Sequence, residues 1–444
     1  MAQSDCASKV IQADRLYAEG DRTAAEQLYR QCKQPFASQD LATYFPEPIT
    51  DPTQLRPGAQ VYWREAQQGL ERGQESRTMT ALNLLTEQAP DFVPAYPLLA
   101  QALTEYDRAE EAQAVLEQAA TLFPYDADIA RARTEALSEA GYPMEASMAA
   151  RLFSMVNPSH PEKDEFVAMA DENLDDFKKD IRREYMTTGI LGAVGNLVFG
   201  GGDLLSNALD SASFAAMLFE GEEETGNRLA AATVEDAQAN NVLVEDPVVL
   251  EYVSTMGQDI ADQMGRDEFD YEFHVIADDS INAFALPGGK VFINTGAILA
   301  ANSEAELAGL VAHEVAHAVL SHGYQRLATN GLLSVAQQAL PLGNLVGLAS
   351  LDFSRDNEKQ ADILGTRAIA GFGYAADGLR NLFATLNERS SSSQPEYLST
   401  HPAPPSRVSY LEALIQQNSY NRYAYEGVEA HARIQKRIQE LSVQ

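Results

Sequence analysis

Through the first 160 residues, apolar positions recur at helical spacing and are punctuated at a fixed interval. Pro90, Pro124 and Pro158 lie 34 residues apart, and Gly73, Asp107 and Gly141 precede each of them by 17. A residue that tolerates a tight turn, then a helix, then a proline that ends it describes one repeated helix–turn–helix unit. The pattern predicts helix pairs over 60–73 with 76–88, 93–106 with 109–122, and 127–140 with 143–156. An earlier pair, 7–19 with 22–33, turns at Gly20-Asp21 and reads as a further unit, set off by the stretch from Pro35 to Pro57.

This is the period and punctuation of tetratricopeptide repeats, whose stacked pairs bury a continuous core and leave a concave face. Residues 1–160 are accordingly read as a helical repeat domain. Residues 161–240 read as a helical connecting region. Glu162 to Tyr185 is a charged helix, Glu220 to Glu224 an acidic turn. Met186 to Gly202 is uncharged but glycine-rich and short for a membrane span, so it reads as a connection.

After Val244 the pattern changes. Asp246 to Gly265 has the period of an amphipathic helix. Tyr271 to Ala277 and Lys290 to Asn294 alternate and carry β-branched or aromatic residues, which predicts strands, with a turn at Gly288-Gly289 before the second. Leu327 to Leu351 holds no charge, yet Asn330, Gln337, Gln338 and Asn344 make it too polar for a buried span. It suits a lid, a plug over a cleft, or a surface that touches membrane. Ser390 to Pro395 reads as a flexible linker, and Val408 to Gln444 as helix.

Composition narrows the partners. With 32 Lys+Arg against 65 Asp+Glu the net charge is −33, which excludes binding nucleic acid by charge. Met1-Ala2-Gln3-Ser4-Asp5 lacks the basic and apolar regions of a signal peptide. It resembles the start of an exported chain after cleavage, so the bacterial periplasm or envelope is expected, with the cytoplasm as the alternative. In an antiparallel helix pair Cys6 and Cys32 come near each other. A disulfide there would suit an oxidising compartment; two separate buried thiols are the other reading.

The chemistry is concentrated in Val311-Ala312-His313-Glu314-Val315-Ala316-His317. His313 and His317 are four apart, so both imidazoles leave one helix face about one turn apart, where a single Zn²⁺ takes both. Glu314 is placed to take a proton from an attacking water. Leu307, Leu310, Val311, Val315, Val319 and Leu320 supply the packing face, so these histidines are not needed as core filler. A third ligand is required, and Glu358 in Glu358-x-x-x-Asp362 is the candidate. Asp362, one turn on, is placed to accept the free N–H of a ligating histidine.

His313-Glu314-x-x-His317, then Glu358-x-x-x-Asp362, then Ser399-Thr400-His401-Pro402 with Arg407, together resemble the gluzincin peptidase family that includes HtpX, the CAAX prenyl protease, the mitochondrial Oma-type protease and BepA. Asn282-Ala283-Phe284-Ala285-Leu286-Pro287-Gly288-Gly289 resembles that family's segment ahead of the metal helix. The likeness covers roughly 240–415.

It implies one zinc per chain on His313, His317 and Glu358, with Glu314 as base and Asp362 behind the ligands. It puts His401 and Arg407 near the substrate or the open metal position, and an edge strand that holds substrate at Asn282, Ala283 and Phe284. The expected fold is mainly α: tetratricopeptide-like repeats followed by an α+β zincin domain with a small sheet over 241–444. The expected activity is hydrolysis of protein or peptide substrates in envelope quality control. The repeats would recruit clients or a partner complex, and the membrane would be touched only peripherally. The competing reading is a repeat-based chaperone or binding protein whose peptidase site is latent because His401 caps the metal.

Overall fold

The computed structural model describes residues 2–36, 44–187, 220–328, 353–389, 397–402 and 405–441. Nearly all of Met186–Gly202 and Leu327–Leu351, and the whole of Ser390–Pro395, lie outside the described residues. The chain divides into two compact units, 40–180 and 1–39 with 181–444.

In the first unit, helices pair as Pro57–Glu71 with Glu75–Gln88, Ala95–Glu105 with Ala109–Leu122, and Ala127–Glu139 with Pro143–Val156. The turns explain the sequence interval. Gly73, Asp107 and Gly141 all sit at positive φ, 63°, 58° and 82°, a conformation that glycine adopts freely and aspartate tolerates. Leu82, Leu99, Leu103 and Leu116 fill the space between successive pairs.

The second unit holds a three-stranded sheet in the order β1 (Glu272–Ile276), β3 (Lys290–Asn294), β2 (Ala283–Leu286). β1 runs parallel to β3 and β2 antiparallel to it. The pattern foretold β1 and β3. β2, expected only from the family resemblance, gives no such pattern, because Ala283-Phe284-Ala285-Leu286 is four apolar residues without alternation. β3 is buried along its whole length, and its Lys290 is compensated by Glu272 Oε1 at 2.9 Å and by the Asp270 carbonyl.

Against this sheet lies the central helix Glu304–Val319, with every residue from Ala305 to Val319 buried. Two glycine contacts let its neighbours approach. A Cβ on Gly365 of helix Arg355–Phe372 would stand 3.1 Å from the Ala312 carbonyl, and one on Gly378 would stand 2.0 Å from the Ala305 oxygen. The start of the central helix is a capping box. Ser303 Oγ accepts from Glu306 N at 3.2 Å, while Glu306 Oε2 accepts from Asn302 N at 2.8 Å.

Burial pushes the Glu306 carboxyl up from 4.5 to about 7. A carboxyl whose pKa rises on folding holds its proton more tightly in the folded chain. The folded state therefore loses stability as pH rises through 4.5 toward 7, by an amount on the order of 3 kcal/mol. Glu306→Gln keeps an acceptor and removes the charge. Urea unfolding at about pH 5 and about pH 8 should show a smaller difference in the variant than in the parent. An equal difference would mean that Glu306 does not titrate as its burial requires.

The helical hairpin Ala2–Ala18 and Arg22–Cys32 corrects the division drawn from the sequence. It belongs to the same compact unit as residues 181–444, not to the repeats. Cys6 and Cys32 are joined by a disulfide, with Cα atoms 5.3 Å apart. Lys33 Nζ donates to Asp377 Oδ1 at 2.6 Å and to the Arg422 carbonyl at 2.5 Å, and pairs with Glu426. Asp14 accepts from Tyr29 OH at 2.6 Å and from the backbone N–H groups of Glu426 and Val428 at 2.9 and 3.0 Å. These buried polar groups have no pattern in sequence that would reveal their partners. Among the described residues no helix is long and apolar enough to cross a membrane.

Candidate metal centre

The four-residue spacing places His313 and His317 as expected. Their Nε2 atoms are 3.0 Å apart. Glu358 reaches both from the first turn of helix Arg355–Phe372, at 3.5 Å from His313 Nε2 and 3.4 Å from His317 Nε2. His401 enters from the far end of the chain. Its Nδ1 stands 2.8 Å from Glu358 Oε1 and 3.4 Å from His313 Nε2. One ligand atom from each of these four residues lies within 4.8 Å of the others, and all four residues are buried. Two imidazoles from one helix, a carboxylate and a third imidazole form a donor set suited to a tetrahedral divalent ion.

The surrounding hydrogen bonds set the tautomers that ligation needs. Asp362 Oδ1 lies 3.2 Å from His313 Nδ1, an ion-pair contact that favours the proton on that nitrogen and leaves Nε2 to face the other ligands. His317 Nδ1 donates to His322 Nδ1 at 2.9 Å, and His322 Nε2 donates onward to Gln360 Oε1 at 3.4 Å. Burial holds His322 down at about 4, so it stays neutral and able to accept.

Arg407 binds the carboxylates from behind. It donates to Asp362 through Nε and Nη2, both at 2.7 Å, and to the Pro402 carbonyl at 2.9 Å, and its Nη1 forms an ion pair with Glu358 Oε2 at 2.7 Å. Burial alone would raise Glu358; His401 and Arg407 outweigh it and hold the carboxylate well below its ordinary range. Burial likewise raises Glu314, and the opposing fields of His401 and His313 do not reverse it. Glu314 Oε1 accepts from Tyr397 OH at 3.0 Å, and Oε2 is buried without a hydrogen-bond partner among the described residues.

Asn282 is 5% exposed and folds back, its Oδ1 accepting from Ala283 N at 3.0 Å. Ala283 and Phe284 lie on β2, the outer strand, with Phe284 stacked on Phe292 at 5.1 Å. Sequence reasoning missed Tyr397, His322 and Gln360. Four of the seven histidines converge here, so histidine scarcity was a signal for His322. Nothing in the local pattern pointed to Tyr397, which stacks on His401 at 4.6 Å and whose backbone N–H donates to Ile281 O, just ahead of β2, at 3.0 Å.

Residues 249–415 match Peptidase family M48. The chain is 31% identical over 191 residues to a putative beta-barrel assembly-enhancing protease of Vibrio cholerae, covering 38% of this chain and 40% of that protein. It is 28% identical over 188 residues to the beta-barrel assembly-enhancing protease of Escherichia coli, covering 37% and 39%. Mitochondrial metalloendopeptidase OMA1 of Schizosaccharomyces pombe is 30% identical over 183 residues, covering 38% and 54%. The match thus spans about two fifths of the assembly-enhancing proteases and about half of the mitochondrial enzyme.

Proposed function

We propose, from the match of residues 249–415 to Peptidase family M48, that this chain is a zinc-dependent endopeptidase that cleaves protein substrates in bacterial envelope quality control. The observation that carries the reading is the buried group His313, His317, Glu358 and His401 beside a glutamate with one unpartnered oxygen. His313, His317 and Glu358 would hold the metal, with Asp362, His322 and Arg407 fixing their orientation. Bound there, zinc supplies the Lewis acidity that activates water and polarises a peptide carbonyl.

Glu314 takes the proton of the attacking water and returns it to the departing amine. Tyr397 keeps one oxygen of Glu314 in place, so the other is the one that works. Arg407 spends its donors on Asp362, Glu358 and Pro402, so we assign it to holding the ligands and not to the oxyanion. An extended substrate would add to the outer edge of β2 at Asn282, Ala283 and Phe284.

A second reading has an observation of its own. A hydrolytic zinc site keeps one position open, and His401 Nδ1 lies where it would take that position. We infer a latent peptidase that opens when His401 withdraws. The test measures bound zinc and casein cleavage together. His401→Ala should keep its zinc and cleave faster than the parent. A slower variant with full zinc would instead assign His401 to the transition state. Glu358→Ala should lose metal, and Asp362→Asn should weaken its retention by roughly 10–100-fold. Equal zinc content in both and in the parent would move the third ligand elsewhere.

The periplasm or envelope is favoured over the cytoplasm by the Cys6–Cys32 bond and by relatives named for β-barrel assembly. The helix pairs of residues 57–156 have the turns and period of tetratricopeptide repeats, and we assign them to recruiting clients or a partner complex. The uncharged stretch Leu327–Leu351 is the candidate for peripheral membrane contact.

A further inference from the structure

Away from the metal ligands, the peptidase unit carries a cavity of about 470 Å³ bordered by four tyrosines. Tyr17 comes from the N-terminal hairpin and Tyr252 from the helix Pro247–Ala261. Tyr374 and Tyr425 come from two segments joined by a β-bridge.

Three of the hydroxyls are committed to fixed partners. Tyr17 donates to the Gly373 carbonyl at 3.1 Å and Tyr374 to Glu304 Oε1 at 2.7 Å. His431 Nε2 faces the Ile298 and Ala301 carbonyls at 3.0 and 3.2 Å, so it carries the proton, and Nδ1 accepts from Tyr252 OH at 3.0 Å. The rings are therefore held before any ligand arrives. The Tyr425 centroid lies 6.2 Å from Tyr17 and 6.0 Å from Tyr374.

The same cavity is lined by the carboxylates of Glu251, Asp259 and Glu304, and among the described residues by no lysine or arginine. Arg433, outside the lining, is the cation whose field reaches Glu304, and Arg22, also outside it, holds its Cζ 5.4 Å from the Tyr17 ring centroid, which leaves the faces of Tyr252, Tyr374 and Tyr425. The central helix begins at Glu304, and its dipole opposes a cation with about half a positive charge. Three carboxylates outweigh that. Oriented aromatic faces with an excess of negative charge form a cation site.

We propose that this cavity binds the side chain of a lysine or arginine in an extended polypeptide, its charged head over the tyrosine faces and among the three carboxylates. The cation preference stands on the cavity alone, whereas the choice of a polypeptide rests on the peptidase reading. Glu304 is nine residues ahead of His313, about 14 Å along the helix axis, a span that roughly four or five extended residues cover. The cavity would then hold a basic residue of a client while another part of that client lies at the metal.

Saturation-transfer NMR on the full chain, in the Glu314→Gln background, reads binding without turnover. A failed peptidase reading therefore leaves this test intact. The probes are N-acetyl-arginine amide, N-acetyl-lysine amide, tetramethylammonium and the neutral N-acetyl-norleucine amide. The two blocked basic amino acids should receive saturation from aromatic protons, and norleucine amide should not. Their affinity should fall about tenfold when Glu251→Gln and Asp259→Asn are combined, with the unfolding midpoint unchanged. Tyr425→Leu should weaken binding and Tyr425→Phe should not. Equal saturation of norleucine amide, or affinity unchanged by the paired substitutions, overturns the site. Tighter binding of tetramethylammonium than of either amino acid overturns the side-chain assignment.

Discussion

Glu314→Gln should reduce cleavage of any peptide substrate by at least 10²–10⁴-fold, the usual contribution of a positioned acid–base group, while metal content stays at the parent level. The substitution is nearly isosteric. The amide oxygen still accepts from Tyr397 OH, which now lies 3.0 Å from Glu314 Oε1. None of the four candidate ligands is touched. What disappears is the group that accepts and returns a proton. Because burial penalises the Glu314 charge, the variant should also unfold no more easily than the parent. Zinc analysis, thermal unfolding and cleavage of a short unstructured peptide check this together. Undiminished cleavage with full metal would remove Glu314 from the mechanism.

Lys33→Met should destabilise the peptidase unit by about 3–5 kcal/mol, the cost of breaking a buried ion pair from one side. The Lys33 side chain is 11% exposed and that of Asp377 is fully buried. Without the ammonium, Asp377 keeps Arg422 at 3.0 Å, but among the described residues Glu426 keeps only Ser303 Oγ, also at 3.0 Å. Burial lowers the Lys33 pKa, and Asp377 and Glu426 more than reverse it, so the group is charged in the fold. Urea unfolding of Lys33→Met beside Lys33→Arg separates lost charge from altered packing. A loss below about 1 kcal/mol, the range of exposed pairs, would mean that the hairpin docks weakly. The same contacts bear on truncation. A fragment beginning near residue 160, where the repeat period ends, lacks Asp14, Tyr29 and Lys33 and leaves their partners exposed or unpaired. Loss of metal by such a fragment is therefore the expected result, with or without the repeats' participation in catalysis.

What the chain determines by itself is what depends on near neighbours. Helix pairs were legible because a left-handed turn position constrains residue type, and Gly73, Asp107 and Gly141 repeat it at fixed spacing. His313 and His317 were legible because a helix brings residues four apart onto one face whatever surrounds it. Glu358, Asp362, His401 and Arg407 were named from an ordered set of motifs. That order carries no distances. The tertiary structure decided that Arg407 is consumed by Asp362 and Glu358, that His401 stands among the metal ligands, and that Tyr397 and His322 belong to the site. It also decided that the first 36 residues pack on the peptidase unit. Periodicity reports that a helix has a buried face, since burying apolar area is favourable against any apolar partner. It is silent on which surface that face meets, because the hydrophobic effect is not directional. Partner choice here falls to Lys33 with Asp377, Asp14 with the backbone of Glu426 and Val428, and Tyr397 with Glu314. These are charges and hydrogen bonds whose two halves are far apart in the chain and whose geometry exists only once it has folded.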